Sequence, residues 1–145
     1  MTTSSNQLSL KECEVISIIT DSAVKDFVFK SKCAVDTQQK KYLAFLVGNK
    51  PTTLLYNGSA HGWQYKDFHS RCDLKAQTIT LFKIKNGDCI GGYTSTYWSS
   101  FNAWVVDNES MLFNLSWCLK FPNKKAGWGI ACYALEGPHF GDGEL

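Results

Sequence analysis

Two runs of β-favouring residues stand back to back in the middle of the chain. TITLFKIK (Thr78 to Lys85) and DCIGGYT (Asp88 to Thr94) flank Asn86-Gly87. Asn-Gly tolerates the positive φ angles of a type I′ turn, whose twist suits two antiparallel strands. The spacing therefore predicts a hairpin. Gly91 and Gly92 interrupt its second strand, and a glycine pair in an apolar strand marks a bulge or a close backbone approach. An aromatic-rich segment, TSTYWSS, follows directly and covers that point.

Elements upstream of the hairpin read as mostly helical. Ser9-Leu10-Lys11-Glu12 has the form of a capping box, with Leu10, Cys13, Ile16 and Ile19 at helical spacing, so a helix is expected over about 9–20. Asp21 or Ser22 can cap a second short helix carrying Val24, Phe27 and Val28. Residues 31–38 are polar and irregular. A third helix is expected over about 37–47, capped by Asp36 or Thr37, with a buried strand at YLAFLV as the alternative that periodicity leaves open. Gly48 stands where a left-handed terminal residue is wanted, and Pro51 blocks continuation. Thr53 to Tyr56 reads as extended, NGSAHG as a turn, and Trp63 to Cys72 as a helix with Tyr65, Phe68 and Cys72 inward.

Downstream, strands dominate. Met111, Phe113, Leu115, Trp117 and Leu119 recur at period two, which predicts one strand with a core face. FPNKKAG is a turn. Trp128, Ile130 and Cys132 then alternate with Gly127, Gly129 and Ala131, a small-residue face that lets another layer approach. FNAWVV, between them, reads as a connection with an apolar cluster suited to a contact patch. Helices first and strands afterwards imply an α+β or mainly β fold with helices on one side.

Composition bounds what such a chain does. Its 145 residues suit one domain. Residues 1–50 read as an N-terminal helical segment and 51–145 as the β-rich part. Charged residues make up 19%, against about 25% typically, leaving more neutral surface for contact. The net charge of +2 is spread over scattered lysines, with no basic stripe for nucleic acid. No apolar run approaches the ~20 residues of a membrane helix. No secretory signal is visible, so the six cysteines, at 13, 33, 72, 89, 118 and 132, read as reduced thiols of a cytoplasmic protein.

The possible chemistry is sparse. His69 and Cys72 lie three apart on an expected helix, but zinc needs about four ligands and only His61 and His139 remain. Cys89 and Cys72 are thiol candidates, yet a helix C-terminus disfavours a thiolate and no resolving pair is evident. Asp107 and Glu109 can form a carboxylate dyad or serve as turn residues. No nucleophile elbow or phosphate loop occurs. Neither a cofactor nor a metal is expected.

Five segments taken in order carry a resemblance. They are LLYNGSAHGWQYKDFHSRCD (54–73), TITLFKIKNGD (78–88), CIGGYTSTYWSS (89–100), DNESMLFNLS (107–116) and GPHFGDGEL (137–145). Together they resemble the TLDc domain family. That likeness implies two antiparallel sheets packed as a sandwich and flanked by helices. It also implies a non-catalytic protein-interaction module, found in proteins linked to oxidation resistance. The partner class it implies is a large assembly, above all the peripheral sector of the vacuolar-type proton pump. Gly91 and Gly92 fall on the family's glycine pair, Glu109 on its acidic position, and Pro138, Phe140 and Gly141 on its G-P-x-F-G loop. With Tyr93, Trp98, Phe101 and Trp104 they form the candidate set, as a shared surface or as buried scaffold. A TLDc domain continues past the glycine-rich loop to closing strands, so a domain truncated at Leu145, with open edges for a partner, is expected. A permanent accessory subunit of a cytoskeletal or membrane-associated complex and a thiol-based antioxidant enzyme are the alternative functions.

Overall fold

The computed structural model describes residues 10–18, 30–123 and 128–141. Its centre is a six-stranded antiparallel sheet. In chain order the strands are β1 (Leu10–Ile18), β2 (Thr52–Asn57), β3 (Thr78–Ile84), β4 (Cys89–Thr94), β6 (Met111–Asn114) and β7 (Leu119–Pro122). In space they run β2-β1-β3-β4-β6-β7. A second sheet pairs β5 (Ala103–Val106) with β8 (Trp128–Cys132). Helix α1 is Thr37–Leu46, α2 is one turn at Gly58–His61, and α3 is Tyr65–Cys72.

Two cores lie on opposite faces of the large sheet. On one face Leu43 and Val47 of α1 meet Ile16, Ile79, Leu81, Phe113 and Leu115. On the other, Phe68 and Cys72 of α3 and Ile130 and Cys132 of β8 close over Cys13, Val15 and Phe82. The fold is thus the antiparallel sandwich with flanking helices that the sequence implies.

The helix expected over 9–20 does not form; residues 10–18 are strand β1, paired with β2 on one side and β3 on the other. Residues Glu12 to Ile16 are all buried. A segment enclosed on both faces has no amphipathic signature, and β-branched Val15, Ile16 and Ile18 suit the pleated sheet. The Glu12 carboxylate, expected to cap its own helix, accepts the amides of Cys13 and Ser59. Glu14 is 1% exposed, and its carboxylate accepts the Ser31 hydroxyl at 2.6 Å and the Lys32 and Cys33 amides at 3.2 Å each. Those bonds replace the water that a buried carboxylate would otherwise lose. The expected helix at 21–28 lies outside the described residues, as does most of the FPNKKAG turn.

Other expectations hold at the element level and shift in detail. Asp36 caps α1 through the Gln39 amide at 2.7 Å, and Gly48 takes φ 66° at its end. The NGSAHG segment contains the single turn α2 rather than an open turn. In α3, Phe68 and Cys72 are buried as expected but Tyr65 is exposed, and His69 is buried in its stead. The hairpin forms with a different turn. Gly87 has φ 96° and Asn86 does not have a positive φ; the Gly87 amide donates to the Ile84 carbonyl and the Ile84 amide to that of Asp88. That is a three-residue loop ending in a glycine bulge, not type I′.

The single strand expected through 111–119 is a second hairpin. The Asn114 side chain accepts the Trp117 amide, Cys118 takes φ 53°, and the chain reverses through residues 115–118 into β7. Asparagine's local bond to the backbone outcompetes the period-two pattern. FNAWVV likewise is strand β5, not a connection.

Candidate protein-docking face

The small β5–β8 sheet is one of several places where apolar side chains meet solvent. Ile130 and Cys132 point into the core, with Val105 packed against it. Trp104 stands opposite Ala131, and Val106 opposite Trp128. The Trp104 ring meets those of Trp128 at 5.8 Å, Tyr133 at 6.2 Å and His139 at 5.3 Å, all edge to face. Val106 and Trp128 are 62% and 50% exposed. Aromatic groups held rigid by one another and left wet on one side are typical of contact surfaces.

Beside this sheet the sandwich opens into a cleft of about 340 Å³. Leu112 and Phe121 of the β6–β7 hairpin line one wall, and Trp128, Gly129, Phe140 and Gly141 the other. Among the described residues strand β7 pairs with β6 alone, at the edge of the sheet, and Leu119 and Phe121 are about half exposed. An apolar edge strand is a template for another chain. Two polar side chains at the cleft are engaged within the protein. The Ser110 hydroxyl donates to the Asp107 carbonyl at 2.9 Å, and the Asn123 amide to the carbonyls of Asp107 and Trp128. Lys120 also lines the cleft, so a visitor meets apolar surface with a polar share.

The sequence-derived residues divide between interior and surface. A Cβ on Gly91 would strike the Thr80 carbonyl and come within 2.8 Å of the Phe113 ring; one on Gly92 would lie 2.7 Å from the Phe140 ring. Trp98 is wholly buried, its indole N–H donating to the Thr78 hydroxyl at 2.9 Å and its ring meeting Phe68 and Phe140 edge to face. Pro138 is buried, and Tyr93 packs half-buried on the α1 side, where burial raises its phenol above the usual range. Phe101 and Glu109 are exposed, Trp104 sits in the surface cluster, and Gly141 (φ 63°) borders the cleft. Gly92, Trp98 and Phe140 therefore come together, while Phe101 and Glu109 stand apart from them. Val106 lay in the FNAWVV cluster expected as a contact patch, whereas Phe121 and Trp128 were not expected at the surface. The exposed half of a strand is visible only once its buried half is assigned.

Asp107 serves as a turn residue. Burial opposes its ionisation, yet the Thr94 hydroxyl (2.6 Å), the Ser95 amide and hydroxyl (2.8 and 2.7 Å) and the Glu109 amide (3.0 Å) hold the carboxyl below its ordinary value. It thereby ties the end of β4 to the start of β6.

All six cysteines are free thiols, five of them buried. Burial raises Cys13, Cys33 and Cys72 well above the ordinary thiol range and pushes Cys89 up to about 12. Cys132 is raised too, burial outweighing the Ser99 hydrogen bonds that favour its thiolate. Nucleophilic thiols need the opposite shift. His69 is held by Asp73, whose second oxygen accepts the Ser100 hydroxyl at 2.6 Å. The serine thus bonds the carboxylate and not the ring, unlike an activated nucleophile. Among the described residues no group of three or more His, Cys, Asp or Glu side chains is placed to hold a metal ion. No helix among them is long and apolar enough to cross a membrane.

Compared with known families, residues 29–145 match the model of the TLDc domain, which reaches back across α1 from the segments quoted above. No curated protein and no solved structure matches the chain.

Proposed function

The chain belongs to the TLDc domain family, and from that membership we propose that it acts by docking, without catalysis, on a large cytoplasmic assembly. The peripheral sector of the vacuolar-type proton pump is the partner class that the family likeness favours. The observation that carries this reading is the join between the two sheets. There Val106, Phe121 and Trp128 are exposed around a cleft lined by Leu112, Phe121, Trp128 and Phe140 together with Lys120. Exposed apolar area beside an edge strand suits a protein partner. The raised, buried thiols weigh against the antioxidant-enzyme alternative.

Recovery of the tagged chain from native lysate at physiological salt tests the reading. Pump subunits are expected to accompany it in stoichiometric amount, and recovery as a lone monomer would sink the proposal. A complex that survives high salt would indicate a permanent accessory subunit; one that dissociates would indicate a reversible regulator.

A further inference from the structure

The chain carries two Asn-Gly steps, Asn57-Gly58 and Asn86-Gly87, and the fold treats them in opposite ways. An asparagine followed by glycine is open to attack by the backbone on its own side chain, because glycine has no Cβ to obstruct the approach of its amide nitrogen. The reaction needs room for that nitrogen to turn, a polarised side-chain carbonyl, and water for its second stage.

Asn57-Gly58 is denied room and water. Asn57 is 2% exposed, and Gly58 is buried at the start of α2. The Trp63 ring lies 2.5 Å from where a Gly58 Cβ would be. Asn57 is also fastened at both ends, its Oδ1 accepting the Ala60 amide at 2.9 Å and its own amide donating to His61 Nδ1 at 3.0 Å.

Asn86-Gly87 has what the other lacks. Lys85, Asn86 and Gly87 are exposed. Apart from the chain neighbours, nothing stands within 4 Å of a Cβ built on Gly87. The Asp88 amide donates to Asn86 Oδ1 at 2.8 Å, the atom on which negative charge gathers during attack, and a donor placed there stabilises it. Nδ2, the nitrogen that must leave, donates to the Asp88 carboxylate at 3.1 Å. One bond has to open first, from the Gly87 amide to the Ile84 carbonyl, and it lies in the exposed loop.

We propose that Asn86-Gly87 is a self-modification site, at which the chain deamidates and unties its own β3–β4 turn. The Gly87 nitrogen bonds to the Asn86 side-chain carbonyl carbon and gives up its proton. The bond from that carbon to Nδ2 breaks, and Nδ2 leaves with the proton as ammonia. Water then opens the cyclic imide to aspartate or isoaspartate. The imide nitrogen carries no hydrogen, so the bond to Ile84 is lost, and isoaspartate adds a main-chain carbon to a tight loop. The formal net charge falls by one from +2. Cys89, next along, holds the β6–β7 turn through the Ser116 hydroxyl oxygen at 3.0 Å and the Leu115 amide at 2.8 Å, so the change reaches that turn as well.

The two steps serve as each other's control. The purified chain is aged at neutral pH with reductant, once folded and once in guanidinium chloride. Both sites are read in one digest by peptide mass spectrometry, with isoaspartate scored by enzymatic carboxyl methylation. In the folded chain Asn86 should convert about tenfold or more faster than Asn57, a barrier difference of about 1.4 kcal/mol or more. In denaturant the two should convert at similar rates. The converted folded chain should separate on ion exchange by its added negative charge. Its Ile84 amide, which donates to the Asp88 carbonyl at 3.0 Å, should exchange hydrogen faster. Asn86→Gln should keep its charge and its Ile84 protection over the same period. Conversion of Asn86 in denaturant alone, Asn57 keeping pace with it in the folded chain, or conversion that leaves Ile84 exchange unchanged overturns the proposal. The wild-type comparison decides whatever the variant does.

Discussion

The Phe140 ring occupies the space that a side chain on Gly92 would need, 2.7 Å from where its Cβ would be. The glycine pair of β4 and the loop at 137–141 are thus two sides of one contact, with Trp98 packed edge to face on the same ring at 5.5 Å. Gly92→Ala should cost about 1–3 kcal/mol by overpacking. Gly91→Ala should cost more, because the obstacle is the Thr80 carbonyl, a backbone atom that cannot turn aside. A double-mutant cycle checks the pairing. Phe140→Ala alone should lose about 3–5 kcal/mol, and Gly92→Ala added to it should cost little further, giving strong non-additivity in denaturant melts.

Acid should loosen the joint between β4 and β6. The Asp107 carboxyl is depressed in the folded chain. Its contribution is full above the unfolded value of about 3.9 and is lost as pH falls through the folded one. Asp107→Asn should lower stability by about 1–3 kcal/mol at neutral pH, on the scale of hydrogen bonds to a charged group. It should also flatten the acid limb of a stability profile measured below about pH 4.

Alkali should act through the thiols, with the opposite sign. Their folded pKa values are raised by burial. The unfolded chain ionises first, so stability is full below about pH 8.5 and declines above it. In the native protein a thiol reagent should modify Cys118, the half-exposed cysteine, well before the other five. Rapid native labelling of Cys89 or Cys72 would contradict this, and mass spectrometry of the labelled peptides decides it.

Glu14 should be costly to truncate. Glu14→Ala removes the acceptor for the buried Ser31 hydroxyl and for the Lys32 and Cys33 amides, of which the Cys33 amide keeps the Ser31 oxygen as a second acceptor. A loss of about 2–4 kcal/mol is expected from thermal or urea melts.

Much of this molecule was legible in its residues, and the misses have definite causes. The β3–β4 hairpin, α1 with its Asp36 cap and α3 follow from turn chemistry, capping and periodicity, all of them local. Strand β1 was misread because Leu10, Cys13 and Ile16 fit a helical stripe, while the pairing with β2 and β3 that fixes it is non-local. The break at Asn114 was masked by alternation continuing through Leu115 and Trp117. Trp98 and Phe140 stood out as candidates, but whether they served surface or scaffold depended on what packs above them. Trp128 and Phe121 join the candidate docking face through a cleft between strands far apart in sequence, which no window of sequence reveals.

The aromatic face can be altered without unfolding the chain. Val106 is exposed, so Val106→Asp should change stability by less than about 1 kcal/mol, while Trp128→Ala, which removes its ring contact with Trp104, should cost about 1–2 kcal/mol. Trp104→Ala, which removes three ring contacts, should cost more.

The most direct measurement is equilibrium binding of the purified chain to the purified peripheral sector of the vacuolar-type proton pump, with Trp128→Ala alongside. The wild-type chain should bind, and the variant, confirmed as folded at the assay temperature, should bind about 30-fold or more weakly, as expected for a hot-spot tryptophan. An absence of wild-type binding, or equal binding by the variant, would contradict docking through the β5–β8 face.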